Sequence, residues 1–526
     1  MFIGGEILYN KMEGNASMGH LSIVEFYENR SVFITGATGF MGKVLVEKIL
    51  RSCPGVERLY LLMRPSKGQS VDCRLREFIQ NEIFGKVKEQ QPNLMAKITA
   101  VTGDVTLPQL GLSPSDLQLL IENVSVVFHS AATIRFNEEL KTALVMNVKG
   151  PMELLEICLK IKHLEAFVHV STAFNNLDRE KIKEEVYYNP KVNPVKLIEF
   201  LDGLDDETLK IMTPELVGEC PNTYVYTKGL AEQLLETKRG SVPLAIVRPS
   251  IVTAAESEPF PGWVDNMNGA TGTIAAVGKG IYRTLKINKK LVSDIIPVDY
   301  PINLMIAVAW YLATHRPTGV PVYTCTTGHR NPLTWGMLKH WTLEFWLKFP
   351  TKEMLWYPSV HCTMHDLNLK ITQILFHYLP AYVMDLFMLA TGKRAKWVRL
   401  YSKADKAFVP FEFFTTHQWQ FISDNPIRLS KEMTAEDQEM FYFDVRKINW
   451  QSYFENYILG IRQHVFKDDP TTLPLARSNL ERLYVVRHIL SLIISMFLIF
   501  IFKNIFLSFI LIGPQTFSLF TELLSL

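Results

Sequence analysis

A doubly wound, parallel α/β sheet followed by a mostly helical C-terminal region and an apolar tail is the fold this sequence predicts, on three observations. First, the apolar run Ser31–Ile34 ends in the glycine-rich turn TGATGFMG and passes into KVLVEKILRS, which reads as strand, turn and helix. Second, apolar runs recur at 58–63 (RLYLLM), 98–101 (ITAV), 124–128 (VSVVF), 166–170 (AFVHV) and 243–247 (PLAIV), separated by stretches of helical spacing such as 139–161 and 225–238. Alternating strands and helices of this kind build a parallel sheet covered on both faces. Third, from about residue 330 the alternation fades into aromatic-rich helical text, WGMLKHWTLEFWLKF and later FYFDVRKINWQSYFENYILGIRQHVF, whose large aromatics read as core.

Composition narrows the class further. A chain of 526 residues has room for two or three domains, and 48% apolar with 21% charged residues excludes intrinsic disorder. A formal charge of +2 offers no reason to expect nucleic acid as a partner. The six cysteines (Cys53, Cys73, Cys158, Cys220, Cys325, Cys362) lack CxxC spacing, and the first residues lack the apolar core of a signal peptide. They read as reduced thiols of a cytosol-facing protein, so the Asn-x-Ser sequences at Asn15 and Asn123 carry no weight. His361, Cys362 and His365 have no second matching pair, and no metal is expected.

Near the C-terminus, Ile489 to Ile512 is almost wholly apolar, broken only by serines, Lys503 and Asn504, and it follows Arg477, Arg482 and Arg487. Such a helix is long enough for a hydrocarbon core of ~30 Å. Lys503 near its middle costs ~2.5–3.5 kcal/mol on insertion scales. The segment is therefore expected either to lie shallow, with Lys503 reaching the interface, or to form a re-entrant hairpin, and membrane association is expected in both cases.

The chemistry starts at the turn. Gly36, Gly39 and Gly42 form G-x-x-G-x-x-G between a strand and a helix, where backbone N–H groups and the helix N-terminus can approach a pyrophosphate; Thr35, Thr38 and Phe40 complete that cradle. The second strand ends in Arg64, with Lys67 close behind, where an NAD-selective fold would usually carry an acid on the ribose 2′-OH. A guanidinium instead favours the 2′-phosphate of NADP. Asp104, in TGDVT after the third strand, reads either as an acceptor for the adenine amine or as an ordinary turn residue.

Tyr224 and Lys228, in NTYVYTKGLAEQLL, lie one helical turn apart, so a phenol and an ammonium share one face. The ammonium is expected to lower the phenol pKa and make it a proton donor to a carbonyl oxygen. Tyr226 has the wrong spacing to Lys228 and is the weaker candidate. The strand VHVSTAF supplies Ser171 or Thr172 as a completing hydroxyl at the edge where open α/β sheets place their ligands.

With TGATGFMG, Arg64, HSAATIRF, VHVSTAF, Tyr-x-x-x-Lys and VRPSIV in this order, the chain resembles the extended short-chain dehydrogenases. Longer stretches, KVLVEKILRSCPGVERLYLLMRP, EPFPGWVDNMNGATG, SDIIPVD and DVRKINWQSYFENYILG, resemble the animal fatty acyl-CoA reductases, which join a reductase domain to a male-sterility-type C-terminal domain and a hydrophobic tail. The resemblance runs from about Ile23 to the tail. It implies reduction of a long-chain acyl-CoA to a fatty alcohol with two NADPH, through a hemithioacetal and an aldehyde. It also implies roles: the glycines on the pyrophosphate, Arg64 on the 2′-phosphate, Asp104 toward adenine, Tyr224 as proton donor, and Lys228 on the phenol and the nicotinamide ribose. Thr172, directly before Ala173, is the favoured hydroxyl, with Ser171 as alternative.

The domain organisation expected is an N-terminal extension at 1–30, an NADP-binding reductase domain with substrate-binding insertions at 31–330, a helical domain at 331–470 and a membrane-associated segment at 486–512. Residues 1–17 look like an addition, with Met18 an alternative start. Phe174 stands where the family more often has Tyr, which bears on a substrate contact and leaves the core catalytic groups intact. The family implies a peroxisomal membrane protein with its catalytic domain in the cytosol. The chain ends Leu524-Ser525-Leu526 rather than Ser-Lys-Leu, so targeting is assigned to the tail, with the endoplasmic reticulum as runner-up. The expected partners are acyl-CoA and lipid, with a homo-oligomer left open. The competing readings are a membrane-tethered hydroxysteroid dehydrogenase and a noncatalytic NADP-binding membrane protein.

Overall fold

The computed structural model describes residues 21–66, 68–188 and 193–523, with side chains as far as 504. Seven strands form the main sheet: β1 Ser31–Thr35, β2 Arg58–Met63, β3 Ile98–Thr102, β4 Val124–His129, β5 Ala166–Val170, β6 Leu244–Pro249 and β7 Val322–Cys325. Their order is 3-2-1-4-5-6-7, and every pairing is parallel. Strands β1, β4, β5 and β6 are buried along their whole length, which is why their sequences read as near-continuous apolar runs rather than alternating ones. The order reverses between β1 and β4, and that switch point opens the crevice at the carboxyl edge where such sheets bind ligands.

Helix α1 (Phe40–Ser52) follows β1 and buries Val44, Leu45, Ile49 and Leu50. Helix α2 (Thr223–Lys238) is started by Asn222, whose side chain accepts the Val225 N–H, and α3 (Asp299–His315) packs its largely buried length against α1, β5 and β6. The remaining helices used below are α4 (Trp335–Lys348), α5 (Asp366–Gln373), α6 (Leu379–Ala390), α7 (Trp397–Phe408) and α8 (Leu473–Leu523).

The chain makes two compact units and crosses between them repeatedly. The first contains residues up to Ser250, Val298–Thr326 and Phe421–Val445; the second contains Ile251–Pro297, Thr327–Gln420 and everything from Arg446 onward. Thus one crossing falls close to the expected boundary at 330, while 251–297 groups with the helical region and 421–445 returns to the sheet unit. Within the second unit, the indole of Trp346 lies where a Cβ on Gly278 would sit and donates to the Ile274 carbonyl at 2.9 Å. Beside it Val277, Tyr282, Leu285, Trp335 and Phe408 form a core. Helix α8 is a single uninterrupted helix, so the re-entrant hairpin considered for the tail is not formed.

Candidate active site

Three glycines shape the turn after β1, and two of them are obligatory. Gly36 has φ +75°, and a Cβ there would lie 2.7 Å from the Ala131 nitrogen. A Cβ on Gly42 would lie 2.3 Å from the Gly36 carbonyl oxygen, so α1 can close onto the turn only with glycine at that position. Gly39 is the N-cap of α1 and brings no capping side chain of its own. A helix N-terminus entered through glycine at the sheet's switch point is of the kind that can receive a pyrophosphate. Thr35 ends β1 with its hydroxyl turned inward, 2.6 Å from His129 Nδ1, while Thr38 and Phe40 flank Gly39 where the turn enters α1.

Arg64 and Asp104, assigned separate contacts from sequence, meet each other. Arg64 donates to Asp104 Oδ2 at 3.3 Å, and Asp104 Oδ1 accepts from the N–H and hydroxyl of Thr106. Burial alone would raise the Asp104 carboxyl, but the Thr106 and Arg64 hydrogen bonds outweigh it and hold the group below the usual carboxylate range. The Arg64 guanidinium remains half exposed at the end of β2. Lys67 lies outside the described residues.

On the other side of the switch point, Tyr224 in the first turn of α2 lies beside Thr172, two residues past the end of β5, whose hydroxyl accepts the Phe174 N–H at 3.2 Å. Its ring lies 5.8 Å from that of Phe136. Ser171 points elsewhere: its hydroxyl accepts from Asn175 Nδ2 at 3.4 Å. Lys228 is buried, and its ammonium donates to the Val170 carbonyl at 2.7 Å. The depression of the phenol pKa expected from Lys228 is not what the chain produces. Burial pushes Tyr224 up to about 12, and the group that lowers it is Thr172. Burial also brings Lys228 down to about 8, with Glu232 raising it. At neutral pH the phenol therefore keeps its proton and most of the ammonium stays charged. Burial likewise pushes Tyr226 up to about 12, and its ring packs with the apolar cluster around Leu230 and Leu234.

The structure adds residues that sequence reasoning passed over. His129 and His169 occupy paired positions on β4 and β5 and stack with ring centroids 5.3 Å apart. Burial, with the nearby Lys228 charge, drives His129 down to about 3 and His169 well below its usual value, so both are neutral imidazoles. Both lie inside motifs already quoted, HSAATIRF and VHVSTAF, but only the register of the sheet shows that they face each other. Asn147 sits in a π-helical turn (Val145–Lys149), accepts the Thr133 N–H at 2.9 Å and donates to Thr227 Oγ1 at 3.1 Å, tying the loop after β4 to α2. Below them Glu232 of α2 and Arg248 of β6 form a fully buried ion pair; Asn175 also donates to Glu232, at 2.5 Å, and Arg248 reaches the Lys183 and Glu185 carbonyls. Phe174 is buried edge-on against Phe421, 5.3 Å away.

A parallel sheet in this order, with a glycine turn at its switch point, is the architecture of a Rossmann-type reductase fold. Solved structures agree on the fold: the terminal R domain from the myxalamid PKS-NRPS pathway (TM-score 0.54, 18% identity, 84% of this chain and 92% of that one) and the reductase domain of a nonribosomal peptide synthetase from Mycobacterium tuberculosis (TM-score 0.52, 18% identity, 83% and 92%). An NAD-binding family model described as Male sterility protein matches residues 34–305, and a second model of the same description matches 376–468. Fatty acyl-CoA reductase 1 of Xenopus laevis is 41% identical over 468 residues, covering 89% of this chain and 91% of that protein; fatty acyl-CoA reductase 2 of Mus musculus is 40% identical over 467 residues, covering 89% and 90%. The chain belongs to the fatty acyl-CoA reductase family, and it is a nicotinamide-dependent enzyme.

Proposed function

We propose that this protein reduces a long-chain fatty acyl-CoA to the fatty alcohol, releasing CoA and consuming two NADPH. The observation that carries the reading is the Tyr224 phenol set beside the Thr172 hydroxyl past the end of β5, in a chain with these relatives. When bound, the nicotinamide supplies hydride. Thr172 orients the substrate carbonyl oxygen, and Tyr224 gives its proton to that oxygen as negative charge develops. The hemithioacetal then breaks its C–S bond, and the thiol departs with a proton to leave the aldehyde. A second hydride and a second proton delivered through Tyr224 yield the alcohol, so two hydrides and two protons balance the four-electron reduction. Lys228, held by the Val170 carbonyl, would hold the ribose of a bound cofactor with its ammonium. Neutral His129 and His169 add no further positive charge beside Lys228.

The acyl part of this reading is supported within the second unit, where Ile274, Val277, Leu285, Trp335 and Phe408 wall an apolar pocket. That lining is of the chemistry an alkyl chain would meet. The test is product analysis with acyl-CoAs of increasing length and either NADPH or NADH. Alcohol formed from the long-chain thioesters with NADPH is the expected result; turnover of a hydroxysteroid without any of acyl-CoA would overturn it.

For the cofactor, Arg64→Asp is expected to shift the NADPH:NADH ratio of kcat/KM toward NADH by roughly 10- to 100-fold, because a charge-assisted contact to the 2′-phosphate becomes repulsion. An unchanged ratio would assign the phosphate to Lys67 or another base. The location we propose is the peroxisomal membrane with the catalytic unit on the cytosolic side, with the endoplasmic reticulum as the alternative. It is supported by the family likeness and by the exposed apolar run of α8 after Arg477, Arg482 and Arg487.

A further inference from the structure

The run Asp366–Ala390, made of α5, a π turn at Ile374–Tyr378 and α6, is amphipathic in the inverted sense. Leu369 is buried in α5, but from the π turn onward the inward positions are small or polar: His377 and Ala381 are 0% and 1% exposed, and Asp385 is buried. Its outward positions are large and apolar: Leu386 is 69% exposed and Phe387 64%, with Leu375, Leu379, Tyr382 and Val383 also exposed. A helix facing water would show the opposite pattern. The inward groups are partnered. His377 Nε2 accepts the Arg283 N–H at 3.1 Å, and the Asp385 carboxylate accepts the N–H groups of Lys396, Trp397 and Val398 at 2.8, 2.8 and 3.0 Å. Asp385 thereby fixes the turn that leads into α7.

That turn carries Lys393, Arg394 and Lys396, with Arg399 in the next helical turn, and no acid among them. Lys370 is exposed near the opposite end of the run. At the start of the run the exposed Asp366 is paired with Lys286, which leaves Lys370 near that end and the Lys393–Arg399 cluster at the other. An apolar face with cations so placed is complementary to an anionic lipid surface: side chains in the acyl region, ammonium and guanidinium groups on phosphates. A second copy of the chain laid on this face would set cation against cation.

The run is long and apolar enough to cross a membrane, but its partner argues against a crossing. Helix α7 folds back along α6. Tyr378, just before α6, donates to Asp405 near the far end of α7 at 2.5 Å, and the His377 and Tyr401 rings stack 5.0 Å apart. If α6 spanned, α7 would be carried into hydrocarbon with Arg399, Lys403, Asp405 and Lys406. We propose that Asp366–Ala390 lies in the plane of the bilayer interface as a second membrane contact, separate from α8. Its outward face meets the acyl region and its cationic ends meet anionic head groups. This contact is argued independently of the reaction.

The test uses the full chain reconstituted in sealed vesicles of phosphatidylcholine and phosphatidylserine, a membrane-embedded carbene photolabel and trypsin. Labelling is expected in the peptide between Lys370 and Lys393 as well as in the tail peptide between Arg487 and Lys503, which serves as the positive control. Lys370 and Lys393 are expected to be cut from the same side of the vesicle. Replacing Lys393, Arg394 and Lys396 with Glu extends the first tryptic peptide to Arg399; its labelling should fall several-fold and that of the tail peptide stay unchanged, at unchanged circular dichroism and NADPH binding. The proposal is overturned if only the tail peptide is labelled, if Lys370 and Lys393 are cut from opposite sides, or if cross-links join this face to a second copy instead of lipid.

Discussion

Tyr224→Phe is expected to lower kcat by roughly 100- to 10,000-fold, the range that a positioned general acid contributes. The phenol is pushed up to about 12 by burial, so near neutral pH it holds the proton it is asked to deliver, and the substitution removes that proton without altering the ring packed near Phe136. The glycine turn, Arg64 and Lys228 are untouched, so the KM for NADPH should stay within a few-fold. Stopped-flow measurement of NADPH oxidation, with cofactor binding followed by fluorescence, separates the two effects. Turnover retained within tenfold would move the proton donor elsewhere, with Tyr226 the first residue to examine.

The largest expected stability effect comes from Arg248→Met. Arg248 is 0% exposed and Glu232 is 1% exposed, and removing the guanidinium strands a buried carboxylate with Asn175 as its remaining described hydrogen-bond donor. Breaking a buried pair in this way costs about 3–5 kcal/mol. In a unit of this size that corresponds to a fall in Tm of about 10 °C. Adding Glu232→Gln to the same variant removes the stranded charge and should recover part of the loss. If the double variant is no more stable than Arg248→Met alone, the cost lies instead with the Lys183 and Glu185 carbonyls that Arg248 also serves. Because Asn175 donates to both Glu232 and Ser171, the single variant should also disturb the strand end that presents Thr172.

Much of the sheet is readable as text because its strands are buried on both faces and so stand out as apolar runs. The stretches at 58–63 and 166–170 coincide with β2 and β5, and 98–101 and 124–128 fall one residue short of β3 and β4. Strand β7, Val322–Cys325, escapes such a reading: it has only four residues and follows Pro317 and Pro321, which read as loop. The turn is equally legible, since Gly36 and Gly42 are set by local geometry, a positive φ and a helix packed onto its own entry.

Features that depend on near neighbours along the chain are therefore written in the sequence: the strand–turn–helix of the cradle, the Tyr224–Lys228 face, the family, and the apolar tail. Which groups meet across the sheet is settled only by the packing of distant segments. Thr172 rather than Ser171 reaches Tyr224 because the chain turns just past β5, and Lys228 is engaged by the Val170 carbonyl because α2 crosses that strand end. The His129–His169 stack exists because β4 and β5 pair in one register, and a shift by a single residue would send the two rings to opposite faces. The 421–445 segment joins the sheet unit through backbone N–H groups of Asp424 and Asn425 donating to the Glu184 carboxylate, a contact spanning 240 residues that no local pattern encodes. The outward apolar face of α6 is of the same kind: composition shows that the helix is apolar, but only the burial of His377, Ala381 and Asp385 shows which side is left exposed.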